Sequence, residues 1–275
     1  MDDNIQLKLG DCLDLLHDVA DESIDMVMTS PPYDNLRTYG ISENIFPFEK
    51  FASIADELAR VLKPGGVIVW VVNDATIDGS ESLTSFKQAI YFKDNCGLNV
   101  HDTMIWEKDT FSFPDAKRYA QAFEYMFVFS KGIPKTVHKL RDRKNKWANS
   151  VVHGTSRGKD GTTFRKSNDK KSTVSDVGER FNVWQLPGEK QNTFDHPAVY
   201  PLRLCKDHIF SWSDEGDLIL DPFMGSGTTG VACKLMHRRF IGFELNPDFY
   251  STAENRISTT VAQNKLFSIA DNDSQ

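Results

Sequence analysis

Apolar and polar residues alternate in Ile5-Gln6-Leu7-Lys8-Leu9, the period-two pattern of a half-buried strand. Gly10-Asp11 then opens a helix carried by Leu13, Leu15 and Leu16, with Asp11 at its N-cap. The run Ile24-Asp25-Met26-Val27-Met28-Thr29 predicts a second strand. It must end at Ser30-Pro31-Pro32-Tyr33, because two consecutive prolines offer no N–H to a ladder. Residues 48–62 repeat apolar positions at helical spacing (Phe51, Ile54, Leu58, Val61, Leu62) as far as the helix-breaking Lys63-Pro64-Gly65-Gly66. Val67-Ile68-Val69-Trp70-Val71-Val72 is apolar without alternation, as a parallel strand covered on both faces requires. Further strands are predicted near residues 100–106 and 124–129.

The pattern dissolves between residues 134 and 192, where apolar positions are few apart from Trp147, Val151, Val152, Phe164 and Phe181-Asn182-Val183-Trp184. Such a stretch cannot build a large core of its own. Periodicity returns with a helix at 202–212, a strand at 217–220, a glycine-rich turn, a helix at 228–236 and a strand at 239–243. A last amphipathic helix carries Phe249, Ala253 and Ile257. Alternating strands and helices predict an α/β fold, a doubly wound and mostly parallel sheet built from residues 1–133 and 193–275 with 134–192 inserted.

Charge changes the picture of that insert. The chain carries −7 overall, yet between Lys131 and Lys190 fifteen Lys and Arg face six Asp and Glu, a local +9 that leaves −16 elsewhere. A basic segment in an acidic protein is a candidate polyanion surface or a solvated loop. No stretch approaches the roughly 18 apolar residues of a membrane helix. Met1-Asp2-Asp3-Asn4 lacks the start of a signal peptide, and the four cysteines are scattered without metal-ligand spacing. Together these predict a cytoplasmic protein with reduced thiols and no bound metal.

Two constellations carry chemistry. At the end of its strand, Ser30-Pro31-Pro32-Tyr33 presents stiff carbonyls, a hydroxyl and an aromatic face, which suit a planar heterocycle held by its amino group; a plain strand-ending turn with a core tyrosine is the alternative. Asp221-Pro222-Phe223-Met224-Gly225-Ser226-Gly227-Thr228-Thr229-Gly230 follows a strand, opens a helix, and is answered by Glu244 at the end of the next strand. Gly225-x-Gly227-x-x-Gly230 formally matches a dinucleotide fingerprint. Asp221 at the strand end would repel a pyrophosphate but attract the sulfonium and ammonium of S-adenosylmethionine. Glu244 can accept ribose hydroxyls in either case, with Phe223 and Phe243 walling the adenine.

Together, Thr29-Ser30-Pro31-Pro32-Tyr33 and Asp221-Pro222-Phe223-Met224-Gly225-Ser226-Gly227-Thr228-Thr229 resemble the amino-methylating DNA methyltransferases. Gly10-Asp11-Cys12-Leu13, Leu62-Lys63-Pro64-Gly65-Gly66, Glu124-Tyr125-Met126-Phe127-Val128-Phe129-Ser130-Lys131 and His196-Pro197-Ala198 extend the resemblance. The order of clamp, variable region and cofactor glycines resembles the family's permuted β group. The resemblance implies methyl transfer from S-adenosyl-L-methionine to N4 of cytosine or N6 of adenine in duplex DNA, on the permuted methyltransferase fold. It implies Ser30, Pro31, Pro32 and Tyr33 at the flipped base. Asp11, Asp221, Pro222, Phe223, Gly225, Ser226, Gly227, Thr228 and Glu244 would then surround the cofactor, with Asp11 near its adenine amino group. Where the family often has Lys, this chain has Tyr200.

The resemblance makes the insert a target-recognition region. Arg141, Arg143, Lys144, Lys146, Arg157 and Arg165 become candidates for DNA contact there, with Arg37 and Tyr39 in the loop after the clamp. Ser at the clamp's first position is commoner among N4-cytosine enzymes and favours cytosine. A monomer or homodimer accompanied by a cognate restriction endonuclease, in a bacterial or phage setting, is the expected context. RNA or protein-glutamine methylation, a nicotinamide dehydrogenase and a non-enzymatic DNA-binding module remain competing readings at this point.

Overall fold

A computed structural model describes residues 4–32, 46–109, 117–151, 155–165, 173–187 and 200–261; the side chains of Ser156 and Arg165 are not described. The first elements are β1 (Ile5–Leu9), α1 (Cys12–His17), β2 (Ile24–Thr29), α2 (Phe48–Val61) and β3 (Leu62–Val72). A small hairpin follows, β4 (Thr76–Ile77) and β5 (Ser80–Glu81), then α3 (Thr84–Asp94), β6 (Asn99–Glu107) and β7 (Phe123–Ser130). Short strands come next: β8 (Arg143–Lys144), β9 (Thr155–Arg157), β10 (Thr163–Arg165), β11 (Val177–Gly178) and β12 (Val183–Gln185). The chain closes with α4 (Leu202–Trp212), β13 (Leu218–Asp221), α5 (Thr228–Leu235), β14 (Arg239–Glu244) and α6 (Pro247–Thr259).

Contacts divide the chain into two units, Met1–His138 with Asn182–Gln275, and Lys139–Phe181. The first holds an eight-stranded sheet in the order β1-β14-β13-β2-β3-β7-β6-β12. Neighbouring strands run parallel from β1 to β3, β7 is antiparallel to both β3 and β6, and β12 lies parallel to β6. Val27, Ile68, Trp70, Phe127, Phe129, Leu220 and Phe243 share a core with Leu16, Phe51, Leu58 and Phe92 of α1, α2 and α3. The alternate strand residues, among them Met26, Val69, Met126 and Ile219, are equally buried, so the sheet is covered on both faces. On that second face His208 of α4 reaches Met126, and Gly230 of α5 lies against Phe240.

Lys63-Pro64-Gly65-Gly66 was expected only to stop a helix. It does more: α2 ends at Val61, and these four residues form an irregularity inside β3, between the pairs Ile24–Leu62 and Met26–Val67. Gly65, at φ 79°, donates its N–H to the Lys131 carbonyl. The Val183-Trp184 cluster, expected in the insert, instead forms the sheet's edge strand β12, with Trp184 buried on His208.

Among its described residues the second unit, Lys139–Phe181, holds two antiparallel pairs, β8 with β11 and, between them in sequence, the hairpin β9 with β10. Its described hydrophobic residues are mostly exposed, and among them only Leu140 is buried.

Candidate active site

Parallel strands send their carboxyl ends to one edge of the sheet, where open α/β folds bind ligands. Four strands bring acids or clamp residues there in spatial order: β1 with Asp11 just beyond it, β14 with Glu244, β13 with Asp221, and β2 with Thr29 and Ser30. Residues far apart in the chain therefore meet. Gly10 donates to the Glu244 carbonyl at 2.9 Å, and Thr29 Oγ1 donates to Asp221 Oδ1 at 2.6 Å across 192 residues of sequence.

At the clamp end, Pro31 is buried, while Ser30 and Pro32 are half-buried. Tyr33, Arg37, Tyr39 and His196-Pro197 lie outside the described residues. Sequence reasoning passed over the clamp's neighbours at the end of β3. Asn73 Oδ1 accepts from Gln121 Nε2 at 2.7 Å, and buried Asp74 accepts from the Ser85 N–H at the start of α3.

Asp221 departs from the charge argument. It was expected to face a cationic ligand, but the carboxylate is 1% exposed and turned into the protein. Oδ1 accepts from Thr29 and from the Phe223 N–H at 3.1 Å; Oδ2 accepts from Thr229 Oγ1 at 2.5 Å and from Tyr200 Oη at 3.3 Å. A carboxylate has about four acceptor sites, so the protein uses them all. Burial pushes the Asp221 carboxyl up from its ordinary value, while the hydrogen bonds oppose that rise. Burial, reinforced by the Asp221 charge, holds the Tyr200 phenol well above its ordinary range, so it serves as a neutral donor where a lysine would be a cation. Tyr200 thus has a defined place.

The glycine turn is shaped from behind. Gly227 caps α5 with φ 84°, and a Cβ there would sit 2.9 Å from the Ala253 Cβ. At Gly230 a Cβ would come within 2.3 Å of Ile257 Cδ1, so the last glycine lets α5 pack on α6. Arg256 of α6 donates to the Ser226 carbonyl at 2.6 Å and to Ser226 Oγ at 2.8 Å, which commits the Ser226 hydroxyl to the protein. Thr228 is buried in the same contact, and Pro222 is buried beside Asp221. Arg256 carries no motif signal, since its partner lies 30 residues away.

Glu244 is the carboxylate that faces outward. It is half-buried; Oε2 accepts from Gly225 N at 2.9 Å and Oε1 from Asn246 N at 2.8 Å, and the Leu245 N–H adds a third bond, short of the about four acceptor sites a carboxylate has. Burial pushes its carboxyl up, against the backbone hydrogen bonds from Asn246, Gly225 and Leu245. Phe223, half-buried, meets Phe46 edge-on at 5.4 Å and Trp70 at 6.3 Å, so the turn's aromatic side is braced by the core. Phe243 is fully buried in that core and is not available as the second wall expected for an adenine. Asp11 caps α1 through the Leu13 N–H at 2.9 Å and receives Lys50 Nζ at 2.6 Å. Lys50 and Leu13 hold its carboxyl below the ordinary value although burial acts the other way.

This donor set fits an adenosyl ligand better than a dinucleotide. A half-exposed ring at Phe223 and outward acceptors at Glu244 and Asp11 suit a ring with an amino group and a ribose diol. Among the described residues the cation bonded to the turn is Arg256, which donates to Ser226 and Thr228. Of the expected DNA contacts, Arg141, Lys144, Lys146 and Arg157 are exposed on the second unit, and Arg143 lies half-buried over Phe181.

Comparison with known proteins agrees with this geometry. A family model described as DNA methylase, covering N6 and N4 methyltransferases, matches residues 24–255. The orphan methyltransferase M.BamHII of Bacillus amyloliquefaciens is 49% identical over 255 residues, 90% of this chain and 93% of that protein. Among solved structures, the cytosine-N4-specific PvuII DNA methyltransferase superposes with a TM-score of 0.67 at 22% identity, over 96% of this chain and 88% of its own. A DNA modification methylase of Thermus thermophilus, complexed with S-adenosyl-L-methionine, gives 0.59 at 23% identity over 92% and 94%. These matches remove the dehydrogenase reading of the glycine turn. The chain belongs to the N6/N4 DNA methylase family, whose methyl donor is S-adenosyl-L-methionine.

Proposed function

We propose that this DNA amino-methyltransferase acts on N4 of cytosine at a specific duplex site, with N6 of adenine as the second reading. The observation that supports it is the adjacency of β2 and β13, with Met26 opposite Ile219, which sets the clamp beside the glycine turn. A base inside a duplex is out of reach, so it must be flipped at a cost of roughly a few kcal/mol. Tyr33 stacks on the extruded base, which recovers about 1–3 kcal/mol in single-strand sites.

The cofactor supplies an electrophilic methyl group on a sulfonium, which leaves as a neutral thioether. Ser30 Oγ and the Pro31 carbonyl accept the two amino hydrogens and draw the nitrogen lone pair out of the ring. As the nitrogen–methyl bond forms, one N–H bond breaks, and its proton leaves past Ser30 Oγ to water. Glu244 would accept from the ribose hydroxyls, Asp11 from the adenine amino group, and Phe223 would offer its half-exposed ring to the base. The stretch 134–192, centred on the unit Lys139–Phe181, reads the DNA site. No helix among the described residues is long and apolar enough to cross a membrane, which accords with a cytoplasmic enzyme.

Ser30 is what favours cytosine, through the family tendency, and the same fold carries N4-cytosine chemistry in the PvuII enzyme. The test is nucleoside mass spectrometry of duplex DNA treated with the protein and S-adenosyl-L-methionine. N4-methylcytosine, lost in Ser30→Ala, is expected. N6-methyladenine as sole product overturns the choice of base, and full transfer by Ser30→Ala overturns the clamp.

A further inference from the structure

Thr29 and Ser30 are consecutive, and between them the sheet ladder ends. Pairing of β2 with β13 stops at Val27–Leu220, and Pro31 and Pro32 have no N–H to extend it on either side. Toward β3 the ladder runs on to Thr29–Trp70, but toward the turn after β13 the strand is held beyond Val27 by another restraint. That restraint is the Asp221 carboxylate. Oδ1 accepts both from Thr29 Oγ1, at the last residue before the clamp, and from the N–H of Phe223, at the start of the turn. Oδ2 accepts from Thr229 in the first turn of α5 and from Tyr200 ahead of α4; Tyr200 Oη also lies 2.5 Å from Thr229 Oγ1. Thr29, Asp221 and Thr229 are each at most 1% exposed, so no water competes for these bonds.

We infer that Thr29 and Tyr200 are positioning residues for methyl transfer, acting through Asp221 to fix Ser30 relative to the glycine turn. This rests on the clamp reading of Ser30. Displacement at carbon demands that nucleophile and methyl group lie in line, and a misplacement of about 1 Å can lower the rate about 100-fold. The β2–β13 ladder does not hold that distance beyond Val27–Leu220, and one carboxylate oxygen bonded to both the Thr29 hydroxyl and the Phe223 N–H does. Thr29 sits one residue before the clamp and Tyr200 beyond the second unit in sequence, so neither reads as catalytic from the motif.

The test is single-turnover methylation at saturating DNA and cofactor, with calorimetric binding of S-adenosyl-L-methionine alongside. Thr29→Val keeps the shape and removes the hydroxyl; its rate per cofactor-binding site should fall about 10- to 100-fold while Kd for the cofactor moves less than about threefold. Thr29→Ser restores the donor and should recover most of the rate. Tyr200→Phe should slow transfer less, and the double variant Thr29→Val/Tyr200→Phe should fall short of the product of the two effects, because both act on one carboxylate. A residue needed only for folding would lower melting temperature and binding stoichiometry and leave the rate per site intact. A wild-type rate in Thr29→Val, or rate and affinity falling in equal proportion, overturns the inference. If Thr29→Val is active while Ser30→Ala is inactive, the inference alone falls. Full activity in Ser30→Ala removes the clamp and the inference together.

Discussion

Lys50 Nζ, in the first turn of α2, lies 2.6 Å from Asp11 Oδ2, at the N-cap of α1. The pair joins two helices on one face of the sheet and stands at the edge where Asp11 is proposed to meet the adenine amino group. Both side chains are 30% exposed, so the pair adds little to stability, at most about 1 kcal/mol. Its effect is orientation: Lys50 fixes which face of the carboxylate remains open. Lys50→Met should weaken cofactor binding about 3- to 10-fold in calorimetry and leave the single-turnover rate at saturating cofactor unchanged. The variant should also raise the Asp11 pKa, because burial is then opposed by the Leu13 N–H without the cation. In the native protein that pKa is below 3.8, so the pair's stability is complete above this value and is lost only as pH falls through the depressed one.

Glu244 has the opposite sign. Burial raises its pKa above 4.5, so the folded protein takes up this proton before the unfolded chain does. Stability linked to Glu244 is therefore full below 4.5 and is lost as pH rises through the folded value. In the proposed role as acceptor from the cofactor ribose, Glu244 must be ionised. On acidification, affinity for S-adenosyl-L-methionine should fall at a pH above 4.5 while Glu244 itself favours the fold. Calorimetry across pH 5–8, paired with thermal melts, separates the two. Glu244→Gln should abolish this part of the pH dependence. It should also cost about 1–3 kcal/mol, since one amide nitrogen would face Gly225 N–H or Asn246 N–H.

The sheet and the site's skeleton were legible because they rest on local signals. Unbroken apolar runs mark buried strands, and paired prolines and glycines mark their ends. Helix α4 was read at its observed bounds, Leu202–Trp212. Helix α3 was missed because its pattern is blurred: Gln88 is buried to receive Trp70 Nε1 at 2.9 Å, while Phe86 and Ile90 stand exposed. The reversal of β7 was hidden because a hydrophobic run carries no direction. Lys50 and Arg256 escaped notice, and Tyr200 was noticed without a role, because each meets its partner only through the tertiary fold. Asp221 was correctly placed at the edge and wrongly aimed, since sequence gives the strand end but not which way a side chain turns there.

Gly230 tests whether the last glycine of the turn serves the ligand or the packing. A Cβ at Gly230 would lie 2.3 Å from Ile257 Cδ1 and 2.8 Å from Phe240 Cε1, and Phe240 is fully buried. Gly230→Ala should destabilise the protein by about 1–3 kcal/mol in denaturant melts. Shortening the neighbour relieves the clash, so Gly230→Ala/Ile257→Val should regain part of that loss. If Gly230→Ala instead loses cofactor affinity with an unchanged midpoint, the glycine belongs to the binding surface.

The second unit lends itself to a test by salt. Residues 139–181 hold twelve Lys and Arg against five Asp and Glu. Arg180 is paired with Asp142 and Lys139 with Glu179, whereas Arg141, Lys144, Lys146 and Arg157 form no ion pair among the described residues. Two exposed aromatic rings of this unit lie beside a cation: Trp147, 68% exposed with Lys146 at 5.5 Å, and Phe181, 63% exposed with the Arg143 guanidinium at 4.2 Å. Cations that neutralise phosphates release counterions and rings that stack on bases do not, so the two contributions separate in a plot of log affinity against log salt. Lys144→Ala and Lys146→Ala should each reduce the slope by about 1 and weaken binding on any sequence alike. Trp147→Ala should lower affinity by about 1–3 kcal/mol at unchanged slope, with S-adenosyl-L-methionine binding intact. A solvated loop with no role in binding would leave slope and affinity unmoved in all three variants, and that outcome would remove this unit from the DNA-reading surface.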